Sequence, residues 1–317
     1  VSMVLQQLLA ATAAGPVPEA DAREALARGQ ALLAAGDRDG AAVALRVAAM
    51  VPGTQLAAHN LIETHGLPGA FAPWMGLDAH IDPADDVFGF FTGHGTWSSP
   101  LRDYLADGWR TLSELLLLLE GAGHRLSGCR QVLEFASGHG RFTRHLVKAL
   151  GHERVTVSDV VPGAVAFSTA QFGVRGFVST SEPAALAWPG RYDLVFVLSL
   201  FSHLPRATWA AWLRRLWDAV APGGVLVFTT HGDFAAQRAG VTLDEQGFQF
   251  VAASESTAID VQEYGTAFTS PGFVQAQIEA LVPVPARWSV EPAWFWAHQD
   301  AFVLQRPDAE GAGAWAV

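Results

Sequence analysis

Five short apolar runs mark the second half of the chain, at residues 132–135, 154–158, 176–179, 192–200 and 225–230. Between them, apolar residues recur at helical spacing over 141–150, 163–172 and 208–220. The run YDLVFVLSL is nearly continuous, as expected of a parallel strand buried on both faces. This alternation predicts a doubly wound α/β sheet. Past residue 232 the pattern predicts a strand at 248–252, a helix at 271–281 and a last strand at 301–304. Upstream, Leu101, Leu105, Trp109, Leu112, Leu115, Leu116 and Leu119 stand three and four apart. They predict a helix over 101–120, stopped by Gly121 and Gly123.

The first part of the chain reads differently. Residues 19–65 are alanine-rich and helical in pattern, with Gly36 and Asp37 at a turn. Ala41 and Ala48 fall where helices would touch, Pro52 would end the second helix, and 57–61 would begin a third. Residues 66–100 mix Gly and Pro with Phe71, Trp74, Phe88, Phe90, Phe91 and Trp97. So many aromatics in a broken segment predict a loop that wraps the main domain or covers a ligand. The expected organisation is a helical extension over 1–65, an aromatic loop and covering helix over 66–123, and the α/β domain over 124–317.

Composition narrows the function classes. A net charge of −11 over 317 residues leaves no basic face for nucleic acid. The single cysteine, Cys129, excludes an internal disulfide and a cysteine-based zinc site. It is read as a small apolar residue just before a strand. His80, Asp82, Asp85 and Asp86 have no metal-motif spacing, so no metal is expected. No stretch reaches the roughly 20 apolar residues that span a bilayer. The opening residues lack a positive leader and are read as a helix, with a cytoplasmic location expected.

The stretch at 131–146, QVLEFASGHGRFTRHL, organises the rest. A buried strand runs into small residues and then a helix, which is how an open α/β sheet presents a ligand at a strand's carboxyl end. Glycines admit close approach, and the helix start offers N–H groups to a carboxylate or phosphate. A dinucleotide fingerprint would place Gly or Ala at position 141, where Arg141 stands. Asp159 ends the second predicted strand about 20 residues on, where an acid can take the two hydroxyls of a ribose.

Glu134, Gly138 and Gly140, with Ala136 at the first glycine position, resemble the E/D-x-G-x-G-x-G motif of class I S-adenosylmethionine (SAM)-dependent methyltransferases. RYDLVFVLSLFSHLP and APGGVLVFTTHG resemble the fourth and fifth strand regions of that family, so the resemblance covers 132–232 in order. It implies a seven-stranded Rossmann-like sheet with SAM as cofactor, held by Glu134, Ala136, Ser137, Gly138, Gly140, Asp159 and Val160. It further implies Ser181 and Glu182 near the adenine, and Leu198 and Ser199 near the transferred methyl group. Tyr104, on the covering helix, is a candidate contact at the methionine end. Residues 25–62 resemble one tetratricopeptide unit, read as a helical hairpin on the main domain or as a docking or homodimer contact.

Methyl transfer to an alcohol needs a proton acceptor, which histidine supplies near neutral pH. His203 and His231 follow the fourth and fifth strands and are the catalytic candidates. Trp288, Trp294, Trp296, His298 and Tyr264 are candidate walls of an acceptor pocket. The sequence therefore predicts methylation of a hydroxyl on a small molecule or glycan. The alternatives are an NAD-dependent oxidoreductase, a protein acceptor, or a SAM-binding protein that acts as a scaffold.

Overall fold

A computed structural model describes residues 17–93, 99–254 and 259–308. The helix expected at the start of the chain and Trp97 lie outside these residues. The chain forms two compact units that divide after Leu105.

The first unit begins with helices α1 (Glu19–Ala34), α2 (Arg38–Ala48) and α3 (Pro52–Thr64). Gly36 takes φ 81° at the first turn, and Asp37 caps α2 by accepting the N–H of Gly40 at 2.9 Å. Ala41 and Ala48 are fully buried, as their spacing predicts. Gly29 adds to this close approach, since a Cβ there would lie 2.6 Å from a methyl of Leu45. Pro52 does not end the second helix. It opens the third, where a missing N–H breaks no helical bond.

The aromatic segment is more regular than its composition suggests. It contains helices α4 (Ala72–Met75) and α5 (Asp86–Gly93). Phe88 and Phe91 pack edge-on against Tyr104, with ring centroids 5.5 and 6.0 Å apart. Tyr104 donates its hydroxyl proton to Asp85, which also accepts the N–H groups of Val87 and Phe88 at the start of α5. Asp82 accepts from Ala84, and His80 bonds Asp78 and Thr64. Among the described residues no group of three or more His, Cys, Asp or Glu could hold a metal. Helix α6 (Pro100–Gly121) follows.

The second unit is built on a seven-stranded sheet. Its strands are β1 (Val132–Phe135), β2 (Val155–Asp159), β3 (Arg175–Val178), β4 (Tyr192–Val197), β5 (Val220–Thr230), β8 (Arg287–Phe295) and β9 (Gln299–Gln305). Their order is β3-β2-β1-β4-β5-β9-β8. The first five run parallel, while β9 runs antiparallel to both β5 and β8. The direction of the chain's progress along the sheet reverses beside β1. Such a switch point leaves a crevice at the strands' carboxyl ends. A separate hairpin, β6 (Phe248–Val251) with β7 (Thr266–Thr269), is inserted before the last helix.

Helices α7 (Thr143–Leu150), α8 (Pro162–Phe172), α9 (Arg206–Ala219), α10 (Asp233–Ala239) and α11 (Pro271–Glu279) complete the unit. Alternation along β5 separates two cores. Leu226 and Phe228 pack with Trp209, Trp212 and Ile278, whereas Val225 and Val227 pack with Leu115, Phe142 and Phe172. The sequence APGG, Ala221–Gly224, lies inside β5. Tyr192 pairs with Val220 and Leu194 with Val225, so Ala221–Gly224 loop out opposite Asp193. No described helix is long and apolar enough to cross a membrane.

Candidate functional site

The turn after β1 has the conformation its small residues suggest. Ala136, Gly138 and Gly140 all take positive φ, at 58°, 55° and 80°. The two glycines serve different ends. A Cβ on Gly140 would lie 2.3 Å from the Phe172 ring, so this glycine allows α8 to pack against the turn. A Cβ on Gly138 would meet nothing within 4 Å, so this glycine faces open space. Ala136 adopts the left-handed region without being glycine, a strain of about 1–2 kcal/mol.

Two buried carboxyls flank the turn. Glu134 on β1 accepts the hydroxyl of Thr143 at 2.7 Å, and burial pushes its carboxyl up to about 8. Asp159, at the end of β2, accepts the N–H of Gly138 at 2.8 Å and that of Val161 at 2.9 Å. Burial raises its carboxyl above the ordinary range, and these backbone bonds oppose the rise. Ser137 donates its N–H to Ser158 at 3.2 Å. Two N–H groups of the turn are thus engaged inward. A diphosphate would need such groups turned outward, so the turn suits a ligand without phosphates.

Arg141, the residue that breaks the dinucleotide fingerprint, pairs with Asp107 of α6 and lies 5.3 Å from the Trp296 ring centroid. Glu114 on the same helix accepts the backbone N–H of Trp296 at 3.2 Å. Its backbone carbonyl accepts the indole N–H of Trp294 at 2.9 Å. Helix α6, the glycine turn and the β8–β9 connection are therefore held together. Trp296 and Ala297 in that connection take φ 56° and 52°, and Ala293 near the end of β8 takes φ 49°.

The remaining cofactor candidates follow β2, β3 and β4. Val160 follows Asp159 and is half-buried, while Ser181 and Glu182 are exposed in the loop after β3. Leu198 and Ser199 follow β4 and are half-buried. Ser199 has φ 61°. Its N–H donates to Thr229 at 2.8 Å, and its Oγ accepts from Gln299 at 2.7 Å.

The two candidate histidines lie together, with ring centroids 6.1 Å apart. His203 donates from Nδ1 to the carbonyl of Gly265 at 2.6 Å, and its own carbonyl accepts the Gly265 N–H at 3.0 Å. Tyr264 stacks on its ring at 4.4 Å. This arrangement puts the imidazole lone pair on Nε2. His231 is different. Its Nε2 lies 3.3 Å from the Gln299 amide nitrogen, and burial pushes it down to about 3, with His203 and His298 adding to the fall.

The candidate acceptor wall divides. Trp288 packs with the core on one face of the sheet, and Trp294 and Trp296 with the core on the other. The alternation of β8, broken by its irregular pairing between Glu291 and Phe295, separates them. His298 stays near the histidine pair, 5.0 Å from His231. Tyr104 is fully buried in the first unit. Sequence reasoning missed Thr229 and Gln299, which have no motif of their own, and the inserted hairpin that brings Gly265 to His203.

Residues 133–226 match the family described as a methyltransferase domain. No curated protein sequence matches the chain. Among solved structures it is similar to the N-methyltransferase NodS from Bradyrhizobium japonicum, at 17% identity over 63% of this chain and 97% of that one, with a TM-score of 0.41. It is also similar to magnesium protoporphyrin IX methyltransferase from Synechocystis, at 15% identity over 79% and 98% of the two chains, with a TM-score of 0.43. A third is CalS10, an amino pentose methyltransferase from Micromonospora echinaspora, at 14% identity over 61% and 89%, with a TM-score of 0.43.

Proposed function

Starting from a chain that carries a SAM-dependent methyltransferase domain, we propose that it methylates a hydroxyl oxygen of a small molecule or glycan. The residues fit SAM: an open face at Gly138, a buried carboxyl at the end of β2 and a turn with inward N–H groups suit a nucleoside without phosphates. When bound, SAM supplies a methyl group whose bond to sulfur breaks, with its electron pair left on sulfur, as a lone pair of the acceptor forms the new bond. Glu134, Ala136, Ser137, Gly138 and Gly140 would line the cofactor. Asp159 would take the ribose hydroxyls, Val160, Ser181 and Glu182 the adenine, and Leu198 and Ser199 the methionine end.

The oxygen reading is carried by His203. Its Nδ1 is tied to Gly265, so Nε2 is the position that accepts a proton. The tie and the stacked Tyr264 hold the ring in one orientation, as a general base requires. His231 suits a different part. Burial and its histidine neighbours push it down to about 3, which makes it a weak proton acceptor bordering the site.

The test is product analysis with methyl-labelled SAM against small-molecule and glycan acceptors. New O–CH3 groups support the reading, and N–CH3 or C–CH3 products alone overturn it. Replacing His203 with Ala is expected to lower kcat by about 10²–10⁴-fold and to leave binding of SAM and its demethylated product intact. Full turnover in that variant removes the base.

A further inference from the structure

We propose that Ser199 selects an oxygen acceptor by giving it a hydrogen bond, and that Gln299 is the residue that aims Ser199. The inference rests on the reading that methyl transfer occurs at the carboxyl end of β4.

The argument begins with a fully buried hydroxyl. Thr229 Oγ1 accepts the backbone N–H of Ser199 at 2.8 Å, so its own proton must go elsewhere. It goes to Gln299 Oε1, 2.6 Å away. That fixes which end of the Gln299 amide is oxygen. The amide nitrogen then faces two acceptors, Ser199 Oγ at 2.7 Å and His231 Nε2 at 3.3 Å. Both of its protons are used. Turning the amide around would leave the Thr229 proton buried with no acceptor, which is costly. Gln299 is itself buried, so no solvent competes for it.

Two consequences follow. His231 accepts a hydrogen bond at Nε2, so the ring's one proton sits on Nδ1. Ser199 Oγ accepts a hydrogen bond from Gln299 and keeps its own proton to donate, and among the described residues none accepts it. The backbone of Ser199 is held at φ 61°, a conformation that costs a non-glycine residue energy and needs support. The support is the Thr229 bond, the Gln299 bond and a third from Ser202 Oγ to the Ser199 carbonyl at 2.8 Å.

A fixed donor discriminates between acceptors. An alcohol has one proton and two lone pairs. Its proton goes to His203, one lone pair accepts from Ser199, and the other forms the bond to the methyl carbon. A neutral amine has a single lone pair, which the reaction itself requires. Facing an amine, the Ser199 proton is left unpaired, and an unpaired polar group in a closed site is what gives hydrogen-bonding sites their selectivity.

The experiment uses the full chain labelled with ¹⁵N-histidine, in which nitrogen shifts identify the tautomer of His231. The Nδ1-protonated form is expected, and Gln299→Glu, which replaces a donor by an acceptor of the same shape, is expected to abolish it. An Nε2-protonated His231 in the unmodified chain overturns the inference, since Gln299 would then accept the Ser199 proton; the oxygen reading would stand. Paired acceptors that differ only in –OH or –NH2 are then tested with methyl-labelled SAM. Ser199→Ala is expected to reduce the preference for the hydroxyl member by roughly 10-fold. A preference unchanged by Ser199→Ala overturns the selecting role of Ser199. Amine products alone from the unmodified chain, with the expected tautomer, overturn the oxygen reading and leave the role of Gln299 in place.

Discussion

Asp159 Oδ2 accepts the backbone N–H of Gly138 at 2.8 Å, which ties the end of the second strand to the middle of the glycine turn. The other carboxylate oxygen accepts the N–H of Val161. One side chain therefore shapes the turn and presents a carboxyl at its lip. Replacing Asp159 with Ala removes both bonds and leaves two N–H groups without their acceptor. The expected result is a loss of SAM affinity of at least about 10-fold, with a loss of stability of roughly 1–3 kcal/mol. Calorimetric titration and denaturant unfolding read the two effects separately. Unchanged affinity in a folded Asp159→Ala protein would remove the ribose assignment.

The three small residues of the turn are expected to respond differently to substitution. Ala136→Gly relieves a left-handed alanine, and the net gain is about 0.5–1 kcal/mol because the freer unfolded chain offsets part of it. Gly140→Ala drives a methyl into the Phe172 ring and should cost more than about 2 kcal/mol. Gly138→Ala projects a methyl into open space, so its main effect falls on cofactor binding. A chemical denaturation series with calorimetric SAM titrations checks the order. Equal loss of binding in the Gly138 and Gly140 variants would contradict it.

Much of this arrangement was legible because the α/β unit obeys local rules. The glycine turn, Asp159 and the buried strands announce themselves within a few residues of sequence. What was not legible depends on distant partners. Gln299 bonds Ser199 across 100 positions, and Gly265 reaches His203 only through the inserted β6–β7 hairpin. The tryptophans near the end of the chain read as one wall because their sequence spacing is close. The irregular pairing of β8 sends them to opposite faces. Pro52 was ambiguous for a related reason, since proline marks a helix boundary without saying on which side the helix lies.

The buried Glu134 makes stability depend on pH with a definite sign. Its folded value of about 8 lies above the ordinary carboxyl value of 4.5, chiefly through burial. Between those values the folded state holds a proton that the unfolded chain has lost. The contribution is therefore fully present below about pH 4.5 and declines as pH rises toward 8, by up to about 1.4 kcal/mol per pH unit. Glu134→Gln keeps an acceptor for Thr143 and does not titrate. It is expected to be more stable than the unmodified chain at pH 8 and to lose that advantage at pH 5. Parallel unfolding curves at the two pH values would show that Glu134 carries no such shift.

His231 is expected to produce the opposite slope. Burial and the neighbouring His203 and His298 depress it from 6.5 to about 3. The folded state keeps the ring neutral while the unfolded chain takes up a proton. Its contribution is thus present above about pH 6.5 and is lost as pH falls toward 3, again by up to about 1.4 kcal/mol per pH unit. His231→Asn removes the titration. The variant should be less stable at pH 8, where the imidazole packs against Phe268 and faces Gln299, and its stability should fall less steeply on acidification. Unfolding free energies at pH 8 and pH 5 measure both effects. An acid slope unchanged by the substitution would show that the ring is charged in the folded protein, and His231 would then return as a rival to His203 for the acceptor's proton.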